Sequence, residues 1–296
     1  MSSAILPSLG ALVQAAKRAT PPPAPVPYTG MGMITDPWLL GWAFGLLGAH
    51  LVLQVVLGAV KSPFQVKPGV AAHQFVCFVP FVYAAAMGTK IWLFSPEAAA
   101  MHTGTYVDRL YGTCDDAFLL TRFMVGFQLY DLLSTLLEPS LRKAEHLAHH
   151  SSTLLTAMGG IAAGGPYFNY YAAFFFGFTE ISSMPLAFVD LFRQLPKLAD
   201  ANPALNELLR TTFAVSFLII RVFYFPYVML SKWWPDLYTA YTSSDVRCAG
   251  YVFGWMAFSS TFLTFLQLFW GYKILRVVLK GNLGGKDKSA IKSETD

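Results

Sequence analysis

Ionisable side chains inside long apolar runs are costly, and those that occur usually face other protein groups or water instead of hydrocarbon. That filter selects Arg122, Asp131, His149, His150, Glu180 and Arg221, with His146 just outside its run. His146, His149 and His150 form an H-x-x-H-H pattern at i, i+3 and i+4, a spacing that groups side chains on one helical face. Such a group has two chemistries open to it. An imidazole with a pKa near neutrality can act as a general acid, base or nucleophile, with Asp131 orienting it. It can also ligate a metal. The alternative without function is hydration of the histidines at the bilayer surface.

A metal centre built from this pattern needs more ligands than are at hand. H-x-x-H-H is similar to a single box of the membrane di-iron desaturases and hydroxylases, which combine several boxes. This chain has 6 histidines, and His50, His73 and His102 stand apart in the sequence. A single metal held by the H-x-x-H-H histidines and Asp131 is the remaining metal alternative; no metal and no resident cofactor are expected. Glu180 and Arg221 fall at similar depth in neighbouring runs, ~6 Å apart along the membrane normal, which suits an ion pair near the midplane. Asp131, His149 and His150 all fall within ~10 Å of one face and are expected to share a site.

Helices must position these groups. Of 296 residues 55% are hydrophobic and 13% charged, against roughly 25% charged in a soluble domain. The apolar residues lie in long runs, so the expected fold is all-α, a polytopic transmembrane bundle of about seven helices. The spans run near Trp38–Val60, Val70–Phe94, Ala117–Leu137, Leu147–Gly164, Tyr167–Asp190, Glu207–Leu230 and Cys248–Tyr272. Residues 1–36 form a proline-rich flexible segment whose acid-free start is compatible with a targeting peptide, and 37–63 hold the first span. The charged segment 281–296 is a tail. Small-residue pairs at Gly41 and Gly45, and at Gly250 and Gly254, fit close helix packing.

The loops carry an uneven charge. One side of the bundle gathers twelve Lys and Arg residues, the other five, so the C-terminus is expected in the cytoplasm and the N-terminus in the lumen or outside. Cys114 and Cys248 then share the non-cytoplasmic side, where either a disulfide or two free thiols are permitted. A net charge of +4 without a basic, aromatic-interleaved stripe gives no support to nucleic-acid binding.

Five pieces in successive spans carry a family resemblance: G-F-Q-L-Y-D-L-L (Gly126–Leu133), E-H-L-A-H-H-S-S-T (Glu145–Thr153), G-F-T-E-I-S-S-M-P-L (Gly177–Leu186), L-I-I-R-V-F-Y-F-P (Leu218–Pro226) and L-Q-L-F-W-G-Y-K-I (Leu266–Ile274). Over residues 64–280 the chain resembles the TLC-domain family of TRAM, LAG1 and CLN8 homologues, which includes ceramide synthases. The resemblance implies an active-site role for His149 and His150, with acyl-CoA as substrate and a sphingoid base as acceptor. Where ceramide synthases follow with a His-Asp pair and a further Asp, this chain has Thr179-Glu180 and Ser182-Ser183, which keeps one carboxylate and loses a proton-accepting imidazole. The E-I-S-x-x-P segment, with Glu180 and Arg221, is closer to the small TLC-domain proteins linked to membrane lipid composition. Three readings follow: a lipid-binding or lipid-homeostasis protein, an acyl-CoA-dependent N-acyltransferase, and a non-catalytic partner or chaperone of membrane proteins. The same resemblance suggests the endoplasmic reticulum or another internal membrane. Self-association is left open.

Overall fold

The computed structural model describes residues 35–162 and 167–283, and every regular element among them is helical. Most of the proline-rich N-terminal segment, residues 163–166 and the tail beyond Leu283 lie outside the described residues.

Helix α1 (Pro37–Ala59) begins where Asp36 accepts from the amides of Trp38 and Leu39, satisfying two of the free N–H groups of its first turn. Helix α2 (Pro68–Thr89) widens at its end into a π turn over Lys90–Phe94. Two short helices, α3 (Pro96–Thr103) and α4 (Tyr106–Tyr111), connect it to α5 (Asp115–Leu137). Next comes α6 (Ala144–Ala162). A broken helix follows, α7 (Asn169–Phe175) and α8 (Ser183–Gln194), joined through a 3₁₀ turn at Phe178–Ser182. Short α9 (Pro196–Ala201) leads into one long helical run made of α10 (Pro203–Phe217), a π turn (Leu218–Tyr224), α11 (Phe225–Val228), a second π turn (Met229–Trp233) and α12 (Trp234–Thr242). The chain closes with α13 (Gly250–Leu283).

Each π turn ends two residues before a proline: Pro96, which starts a new helix after the extended Ser95, and Pro226 and Pro235, through which the helical run continues. Proline has no N–H to give and its ring crowds the carbonyl one turn back, so the helix relieves the clash by widening there. Arg221 sits on the second of these widened turns.

Five stretches are long and apolar enough to cross a membrane: Pro37–Ala59, Pro68–Phe94, Asn169–Gln194, Pro203–Thr242 and Gly250–Leu279. The protein is therefore a multi-pass membrane protein with a helical-bundle fold. Helices α5 and α6 form where spans were expected but are not among these five. Position explains their composition. Helix α5 contacts α1, α2, α6 and α7, and it buries residues on every side, from Leu120 and Phe123 to Gly126, Gln128, Tyr130 and Asp131. Shielded by its neighbours, it needs no lipid-compatible surface and can carry polar groups. Helix α1 is the opposite case: it buries four residues and exposes Val52, Val55 and Val56.

Close packing rests on glycines other than those marked by spacing. A Cβ at Gly41, Gly45, Gly250 or Gly254 would meet nothing within 4 Å, so these four glycines make no tight helix contact. The tight crossings are at Gly126, where a Cβ would come 2.6 Å from the Leu39 carbonyl oxygen, and between Gly88 and Gly177, where it would come 2.3 Å from the opposing backbone. A spacing of four places two small residues on one face but says nothing of what that face meets.

Candidate functional site

Helices α2 and α5 bring a compact polar cluster together near the end of the bundle that also holds Lys67 and Arg142. His73 and Cys77 lie one turn apart on α2 and face Asp131 of α5: His73 Nε2 is 3.5 Å from Asp131 Oδ1, Cys77 Sγ is 3.6 Å from His73 Nε2, and Cys77 Sγ is 4.0 Å from Asp131 Oδ1. Asp131 and Cys77 are fully buried, at 2% and 1% exposure. Ser134 Oγ donates to the Asp131 carbonyl and lies 3.0 Å from His73 Nδ1. The second carboxylate oxygen, Asp131 Oδ2, is 3.0 Å from His150 Nδ1, which also approaches Gln128 Oε1 at 3.2 Å.

His149 touches this cluster only edge-on, its ring centroid 5.3 Å from that of His150, and makes no hydrogen bond or ion pair within it. Successive helical residues differ by about 100°, so neighbours in sequence point to different elements. His149 packs on Trp270 of α13, as does His146, while His150 turns toward α5. The expected grouping of Asp131, His149 and His150 is thus divided: Asp131 and His150 form a contact, and His149 joins Glu180 and Arg221 in lining a cavity.

That cavity is a partly open cleft of about 740 Å³, counting the space at its mouth. Aromatic rings, among them Phe168, Tyr171, Phe175, Phe225 and Trp233, are prominent in its walls, and its polar groups include His149, Glu180, Arg221 and Gln267. Arg221 is held firmly. Its Nε donates to Ser182 Oγ (2.8 Å), and its Nη2 donates to Ser183 Oγ (2.9 Å) and to Glu180 Oε1 (3.2 Å). The expected Glu180–Arg221 ion pair is therefore present, with Ser182 and Ser183 completing it. Among the described residues nothing accepts from Arg221 Nη1, and the buried Nδ1 of His149 has no hydrogen-bond partner. Buried polar atoms normally find partners, so the orphaned His149 Nδ1 and Gln267 Oε1, beside the undonated Arg221 Nη1, mark where a ligand's polar groups would be received.

Two further ion pairs have structural work. Arg122 grips Asp36 through Nε and Nη2, both at 2.7 Å, which ties the capped start of α1 to α5. Arg109 of α4 holds Asp236 of α12 through Nε at 2.6 Å and Nη2 at 2.7 Å, and Tyr171 donates its hydroxyl to the same carboxylate. The sequence treated Arg109 as a loop charge. Its partner lies 127 positions away, and no local pattern links them. Cys114 and Cys248 are free thiols, and burial pushes both upward, Cys248 to about 11, so both stay protonated at neutral pH.

His73 and Cys77 are what the sequence reading missed. His73 looked isolated because its partners, Asp131 and His150, come from other helices; the one local signal was the H-x-x-x-C spacing that puts both residues on one face of α2.

Among known families, the model of the TLC domain (TRAM, LAG1 and CLN8) matches residues 71–276. No curated protein and no solved structure matches the chain.

Proposed function

Because this chain belongs to the TLC-domain family, in which it shares the domain over residues 71–276, we propose that it is a membrane lipid-binding protein serving lipid homeostasis, with an acyl-chain amphiphile as its ligand. One observation carries the reading. An aromatic cavity within the helical bundle is lined also by Arg221 and His149, two groups with hydrogen-bonding capacity unused by the protein. Apolar walls with a few convergent polar groups suit an amphiphile: the chain packs on the rings and the head accepts from Arg221. The family resemblance supports a place in the endoplasmic reticulum or another internal membrane. The excess of Lys and Arg on one set of loops supports a cytoplasmic C-terminus and a lumenal N-terminus.

Native mass spectrometry of the full chain in mild detergent tests the proposal. Wild type should retain a co-purifying lipid, and filling the cavity with Thr156→Trp or Ala172→Trp should expel it while the helical content is kept. A wild type that carries no lipid sinks the reading and leaves a partner or chaperone role for membrane proteins in its place.

The unpartnered His149 Nδ1 favours a second reading, N-acyl transfer from acyl-CoA to a sphingoid base. In that reaction the amine attacks the thioester carbonyl, an amide bond forms, the C–S bond breaks, and the amine's proton is taken by the imidazole and returned to the departing CoA thiolate. Purified protein given acyl-CoA and sphingoid base should then turn over, and His149→Ala should abolish turnover. Absence of turnover, or turnover indifferent to both His149→Ala and His150→Ala, removes the enzyme reading.

A further inference from the structure

The geometry points to a zinc site formed by His73, Cys77 and Asp131, separate from the lipid cavity and independent of it. The three donor atoms, His73 Nε2, Cys77 Sγ and Asp131 Oδ1, stand 3.5, 3.6 and 4.0 Å from one another. Zinc bound to nitrogen at about 2.0–2.1 Å, sulfur at about 2.3 Å and oxygen at about 2.0–2.2 Å has tetrahedral edges of about 3.3–3.6 Å. Two of the three edges are already at that length, and the Sγ···Oδ1 edge has about half an ångström to close.

Proton placement gives an independent argument. Ser134 Oγ lies 3.0 Å from the Asp131 carbonyl oxygen and 3.0 Å from His73 Nδ1, so with its hydroxyl donated to that carbonyl it can accept from His73 Nδ1–H. In that tautomer a neutral His73 presents its Nε2 lone pair to the Asp131 carboxylate, with Cys77 Sγ beside the ring at 3.6 Å from Nε2 and 3.8 Å from Nδ1, an arrangement a bound cation would stabilise. The surrounding contacts are those that orient metal ligands. Ser134 fixes the His73 tautomer, and His150 holds the Asp131 oxygen that points away from the site, at 3.0 Å.

Charge and ligand type select the metal. Binding displaces the Cys77 thiol proton to solvent, and the thiolate and carboxylate then balance a divalent ion, so a neutral unit is buried among the helices. A sulfur, nitrogen and oxygen set of this size suits zinc over the hard cations, which prefer all-oxygen cages. With three protein ligands, one tetrahedral position is left for water or a small ligand, and the ion pins α2 to α5.

The test uses the full chain purified in mild detergent under reducing conditions. Elemental analysis should find one zinc per chain, and replacement by cobalt(II) should give tetrahedral d–d bands together with a thiolate-to-cobalt charge-transfer band. Cys77→Ser should remove the charge-transfer band, and His150→Ala should weaken zinc affinity by about 10–100-fold. His102→Gln, a histidine bonded to Tyr170 far from the cluster in sequence, should leave metal content unchanged. Wild type that purifies without zinc and gives no thiolate–cobalt band overturns the assignment and leaves the occupant as a proton on His73. Unchanged metal content in Cys77→Ser and His73→Ala does the same. If those variants do not fold, the cobalt spectrum of the wild type decides alone.

Discussion

Arg221 is the residue on which packing and ligand binding meet. Its charge is balanced by Glu180 and steadied by Ser182 and Ser183, in surroundings where it is 7% exposed. Removing one partner of a buried ion pair leaves an uncompensated charge and costs about 3–5 kcal/mol, whereas replacing both with apolar groups of similar volume is often neutral. Glu180→Gln should accordingly lower the thermal unfolding temperature in detergent, and the Glu180→Gln, Arg221→Met double variant should recover most of the loss. The double variant should still lack bound lipid, since the Nη1 donor is gone. If it unfolds like wild type and keeps its lipid, Arg221 does not receive the ligand. The residues in this argument were legible in the sequence because charge inside an apolar run is rare. So was the Glu180–Arg221 pairing, from shared depth, but the grouping of the histidines was not. His149 and His150 were placed with Asp131 by depth alone, and depth carries no information about the rotation of α6 that sends adjacent histidines to different helices.

Between elements, the contact that sets the frame is the crossing of α2 with the start of the 3₁₀ turn after α7. Gly88 and Gly177 meet backbone to backbone, and a methyl group at Gly88 would overlap both the Gly177 Cα and the Phe178 nitrogen at 2.3 Å. No side chain stands there to move aside, so relief requires the two spans to part. Overpacking costs about 1–3 kcal/mol even where side chains can give, so Gly88→Ala should destabilise by at least that much in thermal unfolding. Gly45→Ala is the matched control, since its Cβ meets nothing within 4 Å, and it should be neutral or slightly stabilising. Equal behaviour of the two variants would show that the crossing is not tight. Spans were readable as apolar runs, and their ends were set by prolines and by the Asp36 cap. The π turns, the break in α7 to α8 and the short helices α3, α4 and α9 were not readable. Each arises where one span must fit against another, and hydropathy reports burial in lipid or protein without distinguishing them.

At the scale of the whole molecule, α5 is surrounded by other helices while α1 and the outer face of α13 carry exposed apolar residues such as Val55 and Phe265. This layout lets a charged helix reside in a membrane protein, and it also fixes which loops share a side. The connection built from α3 and α4, with the first turn of α5, contains Glu97, Asp108, Asp115 and Asp116 against Arg109, whereas the opposite ends of the helices carry Lys61, Lys67, Arg142, Lys143, Arg193 and Lys197. Basic residues close to span ends are retained on the cytoplasmic side, so the proposed orientation puts the acidic α3–α4 connection in the lumen. A glycosylation acceptor inserted beside the exposed Thr105 should be modified when the chain is made in microsomes, and one inserted in the α9 loop at Asp200 should not. The reverse pattern would invert the bundle. It would place the His73, Cys77 and Asp131 cluster at the lumenal end, away from the cytosolic zinc pool and from the reducing environment that would keep Cys77 a thiol, so the proposed orientation and the proposed zinc site bear on each other.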